Sequence, residues 1–209
     1  MVRSNKAQRT RERLIQAAAE RFAADGYAGT SFASLVEASG QSKGAFYHHF
    51  SSKLDLALAA FRAKQAELIG AAVVGAQKGS PLERLLSTLE ARARAYTEDP
   101  SLRVLPRLST EFAQDPELAP VVTELHGNAI RVFSELVREA QEAGEVRKDL
   151  DPHAVARTIF AAIVGMDELS QRESGGKDLL DRGRDLNRLL RSALEVRESP
   201  QQSSRKSKS

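Results

Sequence analysis

The 209-residue chain has no cysteine and no tryptophan, and only two methionines and three tyrosines. Without cysteine there is no disulfide and no thiolate zinc site, which suits a reducing cytoplasm. Eight phenylalanines beside the three tyrosines, with no run of alternating β-branched residues, leave little from which to build a sheet. No apolar run approaches the roughly 20 residues of a membrane-spanning helix. The opening residues MVRSNKAQRTRERLIQ are charged from the start and lead into no apolar signal segment. A glycine-rich phosphate loop is missing, as is any nucleophile paired in sequence with a base. These absences predict a soluble, cytoplasmic, all-helical protein that is not an enzyme, requires no cofactor or metal and meets no membrane.

Charge is present in quantity but unevenly placed. Residues 1–55 carry eight Lys/Arg against five Asp/Glu, and the tail from Arg197 carries four against one. The stretch between them, 56–196, carries 19 against 22. Both ends are basic and the body is mildly acidic, an arrangement that suits one end meeting a polyanion.

Apolar residues recur at helical spacing almost throughout. Leu14, Ile15, Ala18 and Phe22 predict a first helix over about Ala7–Ala24, ended by Asp25-Gly26. Thr30-Ser31 can cap a short second helix that Gly40 closes, and Ser42 a short third one through Phe50. Ser51 or Ser52 can cap a long fourth helix to about Ala76. Ser80-Pro81 opens a fifth. Breaks at Asp99-Pro100, Asp115-Pro116, Gly144 and Ser174-Gly175-Gly176 separate helices over about Ser101–Ala113 (bent near Pro106), Pro120–Ala143, Pro152–Ser170 and Lys177–Arg197. The expected organisation is a three-helix helix-turn-helix domain over 1–55, a helical domain over 56–197, and a disordered basic tail over 198–209.

The second and third helices carry the chemistry. In GQSKGAFYHHFSSK, Gly40 to Lys53, Phe46 and Phe50 face inward. Lys43, Gly44, Ala45, Tyr47, His48 and His49 are left toward solvent or a groove. A short capped helix, a glycine turn and a second short helix with exposed polar and aromatic groups form a helix-turn-helix. Gly44 and Ala45 allow close approach to base edges, and Ala45 can touch a thymine methyl. Lys43 can reach guanine or a phosphate, while Tyr47 and His49 suit phosphate oxygens. Lys53 adds a cation at the start of the fourth helix. A metal site is disfavoured, because adjacent His48 and His49 point about 100° apart on a helix and no third ligand lies near. The plainer alternative is a pair of solvated surface imidazoles.

From Thr10 to Leu58 the sequence resembles the DNA-binding domain of the TetR family of transcriptional repressors, through RERLIQAAAERFAADGYAGTSFASLVEASGQSKGAFYHHFSSKLDL and above all GAFYHHFSSK. The resemblance implies an all-helical homodimer that binds an operator in double-stranded DNA through Thr30, Ser42, Lys43, Ala45, Tyr47, His48, His49 and Lys53. It also implies a C-terminal domain for ligand binding and dimerisation. Arg3, Lys6 and Arg9 form an arm that can reach along the groove. Further on, PRLSTEFAQDPEL and AIVGMDELSQRESGGKDLLDR resemble the γ-butyrolactone-receptor branch, which implies a small lipophilic ligand. That branch places a tryptophan in its pocket, and this chain has none.

The expected pocket is a cage of helices. Leu86, Leu89, Ala93 and Tyr96 form one wall, Leu105, Leu108 and Phe112 a second, Leu125, Ala129 and Phe133 a third, and Phe160 and Val164 a fourth. Arg107, Thr110, His126 and Asn128 can supply orienting hydrogen bonds. Val155, Ile159, Ala162, Met166 and Leu169, with Leu179, Leu186, Leu190 and Ala193, form the stripes of an expected four-helix dimer face in which Ala161, Ala162 and Gly165 permit close approach. Two other functions stand beside a ligand-responsive repressor. One is a ligand-independent DNA-binding dimer, the other a helical enzyme on a lipophilic substrate using a pair such as Glu111 and His126.

Overall fold

A computed structural model of the chain describes residues 2–75 and 79–196. The expected basic tail, and the side chain of Arg3 in the expected arm, lie outside the described residues. Among those residues there are nine α-helices and no strand: α1 Val2–Gly29, α2 Phe32–Ser39, α3 Lys43–His49, α4 Lys53–Gly75, α5 Pro81–Glu98, α6 Val104–Phe112, α7 Ala119–Glu142, α8 Pro152–Ser174 and α9 Leu179–Leu194. A 3₁₀ turn, Pro100–Arg103, joins α5 to α6.

The capping residues act as their chemistry demands. Ser31, Ser42 and Asp151 sit in extended backbone and accept from amides of the first turns of α2, α3 and α8, satisfying donors that have no partner within the helix. Ser52 Oγ accepts from Asp55 N (3.0 Å), while Asp55 reaches back to Ser51 N (2.9 Å). Gly40 and Gly175 close α2 and α8 in the left-handed region. The first helix begins earlier than its apolar spacing predicts. It breaks at Gly26 (φ 76°, ψ 173°) and makes one further turn to Gly29. The bend expected near Pro106 falls at the 3₁₀ turn instead, because Pro106 sits in the first turn of α6, where its missing amide has no intrahelical role. Helix α8 runs four residues past its expected end. Helix α9 stops three residues short of its own, at an antiparallel bridge between Val146 and Glu195.

Two apolar clusters hold these helices. The first runs from Leu14, Phe22, Leu35, Phe46 and Phe50 in the head through Leu56 and Phe61 of α4 to Leu105, Leu108 and Phe112 of α6. It passes through the expected boundary at residue 55 without a gap, so head and body are packed onto a common spine. The second joins Leu82, Leu85, Leu86 and Leu89 of α5 to Phe133 and Val137 of α7, Ile159 and Ile163 of α8 and Leu194. Lys64 of α4 is buried in this setting. It donates to Glu67 (2.8 Å) and to Asp99 (3.1 Å), whose other oxygen takes Ser101 N and Oγ. That ties the middle of α4 to the turn that begins α6.

Candidate nucleic-acid interface and ligand cavity

Helix α3 presents the groups its pattern predicts. Phe46 and Phe50 are buried; Ser42, Lys43, Gly44, Tyr47 and His48 are exposed; Ala45 and His49 are half-buried. Tyr47 lies flat on Phe32 of α2, with ring centroids 5.1 Å apart, and the Lys43 ammonium stands 5.8 Å from the same ring. Both side chains are thereby aimed away from the core. Partial burial, then the neighbouring His48 and Arg11, push His49 below its ordinary pKa, which favours a neutral ring with one donor and one acceptor. Among the described residues no cluster of three possible metal ligands exists.

Thr30 and Lys53 depart from expectation. The Thr30 hydroxyl is buried and donates to Gly26 O (2.6 Å). The Lys53 ammonium donates to Tyr27 O (2.9 Å) and Thr30 O (3.0 Å) and lies 4.1 Å above the Tyr27 ring. Both side chains knot the end of α1 to the starts of α2 and α4 instead of standing free for DNA. Glu111 of α6 completes the knot by accepting from Tyr27 N (3.0 Å) and Ala28 N (3.1 Å). These amides follow the Gly26 break and have no helical carbonyl of their own, so the carboxylate acts as their cap. Burial, then Asp115, raises the Tyr27 pKa.

A cavity of about 780 Å³ lies among α4, α5, α6, α7 and α8. Of the expected ligand contacts, Tyr96, Leu105, His126, Ala129, Phe133, Phe160 and Val164 line it. Leu86 and Leu89 instead belong to the second core cluster, and Ala93 faces Gly183 of α9. Leu108 and Phe112 pack into the first cluster, where Phe112 meets Tyr27 and Phe61 edge-on. A helix wedged between two layers buries two faces, and only one of them can front a hollow. Arg107 and Thr110 do line the cavity, while Asn128 accepts from Arg131 at the surface (3.2 Å).

The four expected walls named no residue of α4. Phe61, Gln65, Leu68, Ile69 and Ala72 form a wall, and the signal was a helix with small and apolar residues on every side. The expected walls also missed Arg92 and Asp167, which pair through both terminal guanidinium nitrogens within the cavity lining, with the Tyr96 ring 4.8 Å from the guanidinium. Desolvation opposes the Arg92 charge, but Asp167 outweighs it and the pKa is raised; burial likewise raises Tyr96. His126 sits against Phe160 (5.0 Å) with its pKa lowered by burial.

Outside the cavity, α8 and α9 expose Ala161, Leu169, Leu189 and Ala193, with Gly165, Leu186 and Leu190 half-buried. Ile159 and Leu179, expected on the dimer stripe, are intrachain core.

A capped two-helix reader on a helical body that encloses an apolar hollow defines a ligand-sensing DNA-binding transcriptional regulator. Residues 14–60 match bacterial regulatory proteins of the tetR family and residues 76–186 match the tetracycline repressor-like C-terminal domain, so the chain belongs to the TetR family. Regulators of this family are not enzymes; they are homodimers that bind operator DNA with the first domain and a small ligand in the second. The chain is 29% identical over 181 residues to the A-factor receptor protein of Streptomyces griseus, covering 86% of this chain and 61% of that protein. It therefore spans less than two thirds of that relative. It is 25% identical to the repressor DhaR of a Mycobacterium species, over 74% of this chain and 79% of the other. A solved structure described as the molecular basis for control of antibiotic production by bacterial hormones superposes with a TM-score of 0.80 at 34% identity, covering 90% of this chain and 98% of that one. The TylP regulator of Streptomyces fradiae superposes with a TM-score of 0.77 at 30% identity, covering 91% and 88%.

Proposed function

We propose that the protein is a cytoplasmic repressor that leaves a palindromic operator when a small lipophilic molecule enters the cavity. The observation that carries this reading is that the walls of the hollow are also the supports of the reader. Helix α4 lines it and carries Lys53 at its start, and α6 lines it and holds the amides of Tyr27 and Ala28. Ligand occupancy and head position therefore share two elements. In a dimer built on the exposed α8–α9 face, the two α3 helices would enter successive major grooves about 34–36 Å apart. Ser42, Lys43, Gly44, Ala45, Tyr47, His48 and His49 would meet the DNA there. The likeness to an A-factor receptor and to a hormone-controlled regulator of antibiotic production supports a signal of γ-butyrolactone type as ligand.

The ligand-independent alternative leaves a hollow of this size without a use. An enzyme built on Glu111 and His126 is disfavoured too, since the Glu111 carboxylate is already taken by two backbone amides. The test is to select operator DNA from the region upstream of the coding sequence, then titrate the complex with ligands found by thermal-shift screening. Release of the DNA at saturating ligand is expected. A ligand that binds tightly and leaves operator affinity unchanged refutes the mechanism.

A further inference from the structure

Five arginines and five carboxylates line the cavity, and their pairing decides what charge an occupant can carry. Arg84 pairs with Glu139 (2.7 Å), Arg107 with Glu111 (3.7 Å) and Arg172 with Glu168 (2.5 Å), all partly or largely exposed. Arg103 donates to Gly175 O (3.1 Å), and Glu135 is exposed. Only the pair of Arg92 with Asp167 is deep, with side chains 12% and 4% exposed. It bridges α5 and α8, two helices that otherwise scarcely pack together. The interior therefore offers polarity without net charge.

We propose that the Arg92–Asp167 pair is the head-group reader of this cavity, selecting uncharged amphiphiles that carry a hydrogen-bond acceptor beside a donor and rejecting carboxylates and amines. The inference rests on the ligand-responsive reading above and deepens it. Arg92 spends two of its five N–H donors on Asp167, and the carboxylate keeps lone pairs beyond the two that Arg92 takes. A carbonyl-type acceptor can take a remaining guanidinium donor while a neighbouring hydroxyl donates to Asp167, and the alkyl part lies against Leu68, Ile69 and Phe133. A carboxylate head would set a second anion beside Asp167, and an ammonium a second cation beside Arg92. Either would bring a charge out of water to a deep pair whose two charges already neutralise each other.

The test is calorimetric titration of the DNA-free dimer with three probes on one skeleton: 2-hydroxydecanamide, 2-hydroxydecanoate and 1-amino-2-decanol. The amide is expected to bind at least about tenfold tighter than either charged probe. Asp167→Asn leaves Arg92 without its counter-ion and is expected to turn the order in favour of 2-hydroxydecanoate. Glu90→Gln, at the exposed Arg94–Glu90 pair outside the cavity lining, should leave the order as it was. If Asp167→Asn does not fold, the Arg92→Met, Asp167→Leu double variant, which removes both charges, is expected to bind the amide at least about tenfold more weakly than the parent. The proposal is overturned if a charged probe binds the parent tightest, if all three bind alike or none binds, or if the variants leave the pattern unchanged. Because no DNA is present, such a result leaves the repressor reading standing; that reading fails only if the operator is not released.

Discussion

Gly26 occupies a backbone region that glycine enters freely and other residues enter only under strain. A Cβ there would also collide with Glu111 Oε1 and lie 2.9 Å from Arg107 Nε. Gly26→Ala is therefore expected to destabilise by about 2 kcal/mol and to lower the melting temperature by roughly 4–8 °C, measured by calorimetry at fixed protein concentration. His126 yields a pH signature. Burial holds its folded pKa below the ordinary 6.5, so below that pH the unfolded chain binds the proton more readily and stability is lost as the pH falls. His49 acts in the same direction. Replacing His126 with Gln should remove part of the decline between pH 6.5 and 5, seen by comparing denaturant midpoints of parent and variant. At this scale the sequence was legible where a residue acts alone: serine caps, turn glycines, exposed Tyr47. Thr30 and Lys53 misled, because polar side chains near a recognition helix look available until the carbonyls they hold come into view, and those carbonyls lie up to 26 positions earlier in the chain.

On the proposed reading, helix α3 separates readout from anchoring. Lys43→Ala is expected to reduce discrimination between operator and random DNA, and Tyr47→Phe to weaken both; each lost base contact is worth about 1–3 kcal/mol. Paired binding titrations on the two DNAs check this, and equal affinities for parent and Lys43→Ala would remove Lys43 from base readout. Helix α6 has a different part, since Glu111 takes the amides that follow the break in α1 while its own helix walls the hollow. Glu111→Gln keeps the shape and weakens those charge-assisted bonds. We expect this variant to bind ligand and operator separately much as the parent does, but to lose most of the factor by which one weakens the other. Periodicity placed every helix and most ends, because caps and breakers act locally. It could not tell which buried face of α5 or α6 fronts a void, since Leu86, Leu108 and Tyr96 read alike until their neighbours are in place.

For the assembled dimer, phosphate contacts dominate affinity. Two heads, each with several donors on α3 and the arm, can neutralise roughly 6–10 phosphates, so operator affinity should fall by about 10³–10⁵ between 50 and 200 mM salt. A fluorescence anisotropy series checks it, and a nearly flat response would argue against that set of contacts. The architecture also gives α4 the character of a balanced lever. Lys64, held by Asp99, lies eleven residues from Lys53 at one end and eleven from Gly75 at the other, about 16 Å of axis on each side. Were α4 to pivot at Lys64, displacement of its Gly75 end would reach the Lys53 end at nearly full size and reversed in sense. A tilt of about 6° moves the Lys53 end by about 1.7 Å, half the 3.4 Å step along one DNA strand. Opposed tilts in two subunits would sum to a whole step, so an occupant need push α4 aside by less than the width of a methyl group to put the heads out of register.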